Sequence, residues 1–352
     1  MSDVKSPRAV ESSADTLAPA TTHNQKAGFW TRRKKIGCAI GVATFIVLFL
    51  VVFLPILFLV IGPKIAQKNI NSSVLTFRDA SITNPTNTTF DLALKIDVTN
   101  AGSIKATLTH TTPMRVAWIN PLTGAEIPIL AMNLPPFTVD DGTGTIDTKV
   151  SGVTVLDQTA LTLFNKFLIG GPAFQWRLTS GISAHALGRD YDGLSLDKIV
   201  TLQGMGAFQG TTIKQFALPG YPATQSLPQV PIVLNATLFN PSPVGLELDI
   251  TTFDVATLVA GTSVPLGVVT STQKTFINGM GNTTLPLSGY LFALANLPIQ
   301  VFGLLPAVLL GAANINVTVT PTAVGAESPV SWISGALVGA NLNATMGYAA
   351  PK

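Results

Sequence analysis

The sequence predicts a mainly β protein, with two tandem β-sandwich modules, each carrying one helix, behind a single transmembrane helix. Three observations lead to this prediction. A long run without charge lies near the N-terminus, alternating apolar and polar residues dominate the chain after it, and the pattern of that second part occurs twice. Only 11% of the 352 residues are charged, against about a quarter in typical soluble domains, which fits a membrane segment joined to a weakly charged surface.

The run without charge extends from Ile36 to Ile61 and predicts a transmembrane helix over residues 36–62. At about 1.5 Å per residue it exceeds the roughly 30 Å core of a bilayer, so a tilted helix spans it. Pro55 removes one backbone hydrogen bond, which membrane helices tolerate. A cleaved signal peptide is the alternative, but the run is too long for one and no small-residue cleavage site follows.

The distribution of charge predicts the orientation of that helix. Residues 1–35 hold seven basic and three acidic side chains, whereas residues 64–352 hold 14 basic and 15 acidic ones. The positive-inside rule therefore places the N-terminus in the cytosol and the rest in an endomembrane lumen or outside the cell. The near-neutral balance after the helix argues against nucleic-acid binding. The topology signal is the cluster of Arg32, Arg33, Lys34 and Lys35.

Sites for N-glycosylation agree with this type II topology. Every N-x-[ST] acceptor follows the apolar run and none precedes it. Some such triplets arise by chance in a Thr-rich chain, but their one-sided distribution is independent of the charge rule. The glycosylation candidates are Asn71, Asn87, Asn235, Asn282, Asn316 and Asn343.

The basic tail, residues 1–35, is predicted to be disordered and cytosolic, since residues 1–28 have no aromatic residue and no apolar periodicity. Ser6 precedes a proline and is a phosphorylation candidate. The tail would dock a cytosolic protein or, as the simpler interpretation, serve as a solvated spacer. Cys38 is a palmitoylation candidate at the cytosolic end of the helix, with a plain apolar helix residue as the simpler interpretation. Because it is the only cysteine, no intrachain disulfide forms.

After a juxtamembrane segment, residues 63–71, the pattern predicts module 1 over residues 72–210 and module 2 over residues 211–352. The repeat aligns Phe90–Leu108 with Val230–Leu248 and places Asn100 and Asn240 in register. A short C-terminal stretch that includes LVGANLNATMGY, residues 337–348, is predicted to add a closing strand. Candidate strands of module 1 are Val74–Ile82, Phe90–Thr99, Met114–Ile119, Thr145–Val150 and Gln175–Ala184.

Each copy of the repeat is followed by a predicted helix, Leu156–Gly170 in module 1 and Leu287–Gly311 in module 2. Residues 291–310 carry no charge, which leaves three interpretations: a second membrane span, a helix packed over the sandwich, or a lipid-binding lid. Proline and amide residues within the segment, and glycosylation candidates on both sides of it, argue against a second span. Residues 215–352 contain only six charged side chains, so their surface suits a membrane or an apolar ligand.

At the repeat the chain resembles a known family. The motifs DVTNAGSIKATL and NATLFNPSPVGLEL, behind a basic tail and one membrane helix, are similar to the late-embryogenesis-abundant group 2 type of domain. More closely, the chain resembles fungal vacuolar-type membrane proteins built from tandem copies of that domain, over roughly residues 30–350. The resemblance implies fibronectin-III-like sandwiches, a vacuolar or other endomembrane location and an autophagy-related regulatory role. It supplies no catalytic or binding residues.

The sequence shows no catalytic, cofactor or metal motif. His23, His110 and His185 are far apart, and the nucleophile-elbow and phosphate-binding glycine patterns are absent. Gly204–Gly210 is predicted to be a linker between the modules. Two acidic groups in Asp-Gly segments are predicted to be solvated turns, with calcium binding as the alternative; they are Asp140, Asp141 and Asp147, and Asp190, Asp192 and Asp197.

The function predicted from these features is noncatalytic binding of a lipid or protein on the luminal side, with no nucleic acid as partner. One alternative is a lipid carrier, in which Leu156–Gly170 and residues 291–310 gate an apolar cavity. A continuous apolar pocket under those helices would favour the carrier, and a filled core would count against it. The other alternative is a glycosylated structural spacer at the cell surface, with the C-terminal part extracellular.

Overall fold

The computed structural model describes residues 44–54, 56–217, 229–292, 314–325 and 329–347. The tail, its basic cluster, Ser6, Cys38 and residues 293–313 lie outside the described residues. The chain divides into two compact units, Met1–Val60 and Ile61–Lys352.

One helix, Thr44–Ser72, is long and apolar enough to cross a membrane by length and composition. Its large apolar side chains between Phe45 and Leu54 are exposed, which is unfavourable in water and suits a lipid environment. Leu57–Ile61 forms a π-helical turn, and Gly62–Ser72 is α-helical and named α1. The prediction of one N-terminal apolar helix is confirmed, and the juxtamembrane segment continues it as a helix.

The unit Ile61–Lys352 is mainly β, as predicted. Its described helices besides α1 are α2, Gln158–Gly170, and α3, Ser331–Leu337, with a 3₁₀ turn at Gly206–Phe208. The strands are β1 Val74–Thr83, β2 Thr89–Thr99, β3 Ala106–His110, β4 Met114–Ile119, β5 Glu126–Met132, β6 Phe137–Asp140, β7 Thr143–Val155, β8 Ala173–Ala186, β9 Arg189–Gln203, β10 Thr211–Ala217, β11 Gln229–Asn240, β12 Val244–Leu248, β13 Thr251–Val259, β14 Thr262–Ser271, β15 Thr275–Ile277, β16 Gly281–Phe292, β17 Asn314–Val324 and β18 Leu342–Gly347.

Eleven strands form one curled sheet in the order β15-β12-β1-β2-β7-β5-β4-β8-β3-β6, with β9 on β8 and an additional pairing of β6 with β7. β7 and β8 are long strands of 13 and 14 residues. The two short pairs β5–β4 and β6–β3 therefore fit end to end between them. The sheet curls back on itself through these pairs, and β9 and β15 form its edges among the described residues.

The other seven strands form a closed barrel in the order β10-β11-β16-β14-β13-β17-β18. A parallel pairing of β10 with β18, with Thr212 opposite Thr345, closes it. Alternate residues of β11, from Val230 to Leu238, are buried in the interior, which is the period-two pattern of a strand with one face in a core. The predicted closing strand is confirmed as β18.

Tandem sandwiches are not confirmed, because the second part of the chain contributes to the first sheet. β12 leaves the barrel region and pairs in parallel with β1, with Val244 opposite Ala80, and β15 pairs with β12. Trp332 of α3 is fully buried against Phe90 of β2, and its Nε1 donates to the Thr86 carbonyl at 2.8 Å. The buried apolar residues of both regions form one cluster.

The predicted helix Leu156–Gly170 is present as α2, which begins two residues later because Asp157 caps it. The Ala160 backbone N–H donates to Asp157 Oδ1 at 2.9 Å. The predicted helix Leu287–Gly311 is wrong at its start, since residues up to Phe292 belong to β16 and pair with β11 and β14. Alternation of buried Leu285, Leu287 and Leu291 with more exposed residues fits a strand.

The predicted linker Gly204–Gly210 connects β9 to β10 but is packed into the fold. Met205 is fully buried, and its backbone N–H donates to the Leu168 carbonyl of α2 at 2.7 Å. A Cβ atom at Gly204 would meet the Gly171 carbonyl oxygen, so only glycine fits this close approach.

Candidate functional site

The interior beneath α2 is an aromatic cluster, and it is the first place where a ligand could bind. Phe164 of α2 lies at its centre, with ring centroids 5.2 Å from Phe174, 5.7 Å from Trp176 and 6.2 Å from Trp118. These side chains are all buried. The helix that was predicted to gate a cavity therefore lies on packed side chains.

Two small voids accompany this packing in the described interior. One void of about 30 Å³ borders Phe164, Trp176 and Trp332 in the curled sheet. Another of about 40 Å³ borders Phe208 and Phe253 in the barrel. Voids of this order hold one or two water molecules, whereas ligand pockets measure roughly 300–1,000 Å³. Neither void accommodates an acyl chain.

His110, at the end of β3, is half-buried, unlike the exposed His185. Its Nδ1 lies 3.0 Å from Ser180 Oγ, and Ser180 Oγ donates to the Thr112 carbonyl at 2.8 Å. With the serine proton directed to a carbonyl, we assign Nδ1–H as the donor to Ser180. Nε2 is buried without a partner, so no carboxylate orients the ring as in a Ser-His-Asp site. Burial lowers the pKa of His110.

The two predicted acidic groups are divided among separate partners. Asp140 accepts from Lys105 at 2.9 Å, and Asp190 pairs with His185 at 2.7 Å. Asp147 lies 4.0 Å from Lys95. Asp141 lies in the two-residue turn between β6 and β7, as the Asp-Gly pattern predicts. No group of three His, Cys, Asp or Glu residues suited to a metal ion occurs in the described ranges.

Asp197, the last of these carboxylates, belongs to an ion network that crosses the curled sheet. Arg177 of β8 donates to both oxygens of Asp197 at 2.7 and 2.8 Å and to Glu126 of β5 at 2.7 and 2.8 Å. The hydrogen bond from Arg177 lowers the pKa of Asp197, and both carboxylates raise the pKa of Arg177. The network ties β5 and β9 to β8 and offers no free charge for a ligand.

The glycosylation candidates lie at the surface, five of them exposed and Asn235 half-buried on β11. On β17 and β18 two acceptor triplets face each other, with Asn316 opposite Thr345 and Thr318 opposite Asn343. Asn87 has a second use, because its Oδ1 accepts from the Ser331 N–H at 2.8 Å and caps α3. Surface positions of this kind are compatible with attached glycans.

An open recess of about 680 Å³ lies in the barrel wall beside that pair. β13, β17 and β18 border it, with Thr257, Leu258, Asn316 and Asn343 among its lining residues. Leu258 is 67% exposed, and no charged residue is among those that line the recess. Its chemistry suits a neutral or apolar partner.

Sequence reasoning missed a contact between α1 and the edge strand β9. Gln67 Nε2 donates to the Ser195 carbonyl at 2.8 Å, and the Ser195 N–H donates to Gln67 Oε1 at 2.9 Å. The side-chain amide thus pairs with the strand as a neighbouring strand would. Lys198 Nζ donates to the carbonyls of Asn71 and Ser73 at 2.5 and 2.6 Å, and desolvation lowers its pKa.

The other end of α1 is held by close packing. A Cβ atom at Gly62 would lie 2.5 Å from the Tyr191 ring, so glycine permits the helix to approach β9. At the C-terminal end of α1, beside Lys198, the side chain of Asn100 also donates to the Ser72 carbonyl at 2.9 Å. In the sequence, the only signal of this contact is the pair Gly62 and Gln67, where the apolar run gives way to polar residues.

Comparisons with known proteins leave the activity open. A family described as "Protein of unknown function (DUF3712)" matches residues 127–255, from β5 to β13. No curated protein matches the chain. Lactobacillus farciminis oxalate decarboxylase is 9% identical, covering 65% of this chain and 91% of its own, with a TM-score of 0.11. Streptomyces albus HEPD is 8% identical, covering 68% and 79%, with a TM-score of 0.08. Likenesses this weak carry no argument about fold or function.

Proposed function

We propose that this protein is a noncatalytic, single-pass membrane protein whose β domain binds a protein partner on the luminal side of the vacuolar or another endomembrane. The packed interior is the observation that carries the proposal. Voids of about 30 and 40 Å³ favour a ligand at the surface over a lipid carried inside. The resemblance to fungal vacuolar-type proteins supports an autophagy-related regulatory role for that binding.

The proposed binding surface is the recess on the barrel, because it combines size with an exposed apolar side chain. It measures about 680 Å³ and exposes Leu258 without charged neighbours among its lining residues. Desolvation of such a surface is inexpensive, and an apolar side chain in its centre is the usual anchor of a protein interface. A partner with neutral and apolar side chains fits this chemistry.

A photo-crosslinking experiment tests this surface. A benzoylphenylalanine residue replaces Leu258 in the full chain in cells, and the matched control carries it at Leu122, which is 81% exposed on the β4–β5 loop. We expect a discrete protein adduct at position 258 that is absent at position 122. Equal adduct patterns at both positions, or adducts with lipid alone, would contradict a protein-binding recess.

The glycosylated spacer is a second candidate, and the facing acceptor triplets on β17 and β18 favour it. Glycans on Asn316 and Asn343 would stand in the recess that the first candidate needs open. Glycosidase-shift analysis of Asn316→Gln, Asn343→Gln and the double variant distinguishes the two. Loss of two glycans in the double variant supports the spacer, and an unchanged shift supports the open recess.

The luminal orientation is tested with the same method. The basic residues Arg32 to Lys35 and the acceptors that all follow the apolar helix support a cytosolic N-terminus. Each of the six asparagines is replaced singly by Gln, and a protease-cleavable tag is placed at the N-terminus. We expect the tag to be accessible from the cytosol and at least one acceptor to carry a glycan. A protected tag with no glycan at any site would reverse the orientation.

A further inference from the structure

We propose that the β8–β9 turn, with Leu187 at its tip, contacts the lipid surface of the membrane that the apolar helix enters. This contact rests on the membrane anchoring in the proposed function. It uses a different surface from the barrel recess and a different ligand, the headgroup and acyl-chain boundary of a bilayer.

The order of contacts along α1 places this turn near the membrane. Gly62 lies against Tyr191, Gln67 pairs with Ser195, and Asn71 accepts from Lys198. α1 therefore runs beside β9 in the same direction, and its first residue lies at the end of β9 that adjoins the turn.

The apolar residues of the helix Thr44–Ser72 directly precede Gly62 in the chain. Tyr191 is only four residues beyond Leu187, a span of roughly 13 Å in an extended strand. The apolar residues thus join the β unit at the end where the turn lies. The covalent chain keeps the turn close to the residue at which a membrane helix would enter this unit.

The conformation of the turn does not favour leucine. Ala186 pairs with Arg189 across a two-residue turn in which Leu187 has φ 54° and Gly188 has φ 72°. Positive φ at both positions is the type I′ turn, which strongly prefers Asn, Asp or Gly at the first. A branched side chain there is strained, and Leu187 is 67% exposed, so packing within the domain offsets little of that strain.

A neighbouring turn has the residue types that the type I′ geometry prefers. Asp141 and Gly142, with φ 46° and 74°, connect β6 to β7 in the same two-residue geometry. It lies at the same end of the sheet, because Ala106 pairs with both Val139 and Ala186. Of these two turns at the same end of the sheet, only the one beside α1 therefore has an apolar residue at its first position. A lipid contact gives Leu187 the burial that the domain does not.

The surroundings of the tip favour an apolar contact over an electrostatic one. Lys105 is paired with Asp140 and His185 with Asp190, and Arg189 has a partner of its own. The exposed basic residues of α1 nearby are two, Lys64 and Lys68, fewer than the four to eight of a polybasic site for anionic lipid. Ile104, 38% exposed, lies two residues before the strand position that pairs with Ala186, and it adds a second apolar side chain beside the turn. The contact should therefore form on zwitterionic lipid and persist at high salt.

The test places an environment-sensitive fluorophore at the tip of the full chain in phosphatidylcholine nanodiscs. Cys38→Ser removes the native cysteine, Leu187→Cys carries the label, and Leu122→Cys is the matched control. Leu122 is 81% exposed near the opposite end of β8, where Ile119 pairs with Gln175. We expect a blue-shifted emission and quenching by brominated lipid at position 187 only, unchanged by added salt.

Equal, water-like spectra at both positions would overturn the contact, as would a signal at position 187 that added salt abolishes. A chain that fails to enter nanodiscs would overturn the anchoring and this contact together, which separates that failure from the first. A second variant, Leu187→Asn, suits the turn and should raise the melting temperature by about 2 °C. It should also reduce lipid quenching of a label at Ile104→Cys. A lower melting temperature would instead assign Leu187 a structural role and overturn the inference.

Discussion

In the two copies of the repeated motif, the first strand ends at the same residue type, asparagine, with different surroundings. Asn100, at the end of β2, has φ 58° and donates to the Ser72 carbonyl of α1 at the surface. Asn240, at the end of β11, is fully buried; its Nδ2 donates to the Val244 carbonyl at 2.8 Å, and its Oδ1 accepts from the Ser242 N–H at 2.9 Å. One asparagine ends a strand, whereas the other fixes the crossover that carries β12 into the curled sheet. Two copies of one sequence motif thus need not fold into two copies of one module.

The two regions that contain these motifs also differ in the kinds of side chain that they carry. The curled sheet contains the described ion pairs between Arg and carboxylates and the aromatic cluster beneath α2. The barrel carries neutral side chains on its outer face, such as Thr252 and Thr270, whose hydroxyl oxygens lie 3.1 Å apart. The two regions nevertheless share one core, so each can be perturbed through the other.

The largest expected effect is that of Trp332→Ala. Removal of this fully buried indole leaves a cavity and an unpaired Thr86 carbonyl, and should cost about 3–5 kcal/mol of unfolding free energy. Because Trp332 packs on Phe90, amide exchange should accelerate in β1 and β2 as well as in α3. Val338→Ala, at a half-exposed site, is the control. Loss of protection in α3 alone would indicate independent regions.

The next effect compares the two asparagines directly. Asn240→Ala should cost about 3 kcal/mol, because it leaves several buried backbone groups without partners. Asn100→Ala should cost about 1 kcal/mol, from an exposed hydrogen bond and a positive φ. Urea denaturation of both variants measures the difference. Similar losses would mean that the crossover does not depend on Asn240.

Acid sensitivity should arise in the curled sheet, since no histidine follows His185 in the sequence. Burial lowers the pKa of His110, so the unfolded chain binds that proton first as the pH falls. The stability that neutral His110 provides is complete above about pH 6.5 and is lost as the pH falls from there toward the folded pKa. His110→Gln should flatten the melting temperature between about pH 7 and pH 5. An unchanged slope would assign the sensitivity to other groups.

The smallest effect concerns a turn of the barrel. Ala260 and Gly261, with φ 50° and 81°, form the β13–β14 turn, in the geometry that Asp141 and Gly142 adopt in the curled sheet. Ala260→Asn should stabilise the protein by about 0.5 kcal/mol, and Asp141→Ala should cost a similar amount. Thermal unfolding measures both. A destabilising Ala260→Asn would show that the two turns are not equivalent.

Local patterns predicted the strands well where alternation is unbroken. The bounds of β4 are those predicted, and β1, β2 and β8 differ by at most two residues at either end. β9 was missed because a bulge opposite residues 182–184 changes which positions face inward. In β9, Tyr191 and Leu194 are both buried although they are three residues apart. The buried positions therefore do not follow a period of two. Carboxylates on the outer face of β9 then resemble turn residues.

Non-local features could not be predicted from the sequence. The crossover of β12 depends on the burial of Asn240, and periodicity carries no information about which strand a strand pairs with. α3 has seven residues, too few for a helical period, and tertiary packing of Trp332 holds it. The α1–β9 contact depends on one amide and one glycine. The candidate sites were predicted by residue type, but their exposure and partners required the fold.

The pairing of Gln67 with Ser195 has a practical consequence for a soluble version of the domain. An unpaired edge strand is a template for association between molecules. α1 protects this edge of β9 through Gln67 and through Lys198, which reaches the last carbonyls of the helix. A fragment that begins at β1 would expose the edge and tend to aggregate. Retaining Gly62–Ser72 while removing the apolar residues before it should yield a monomeric protein.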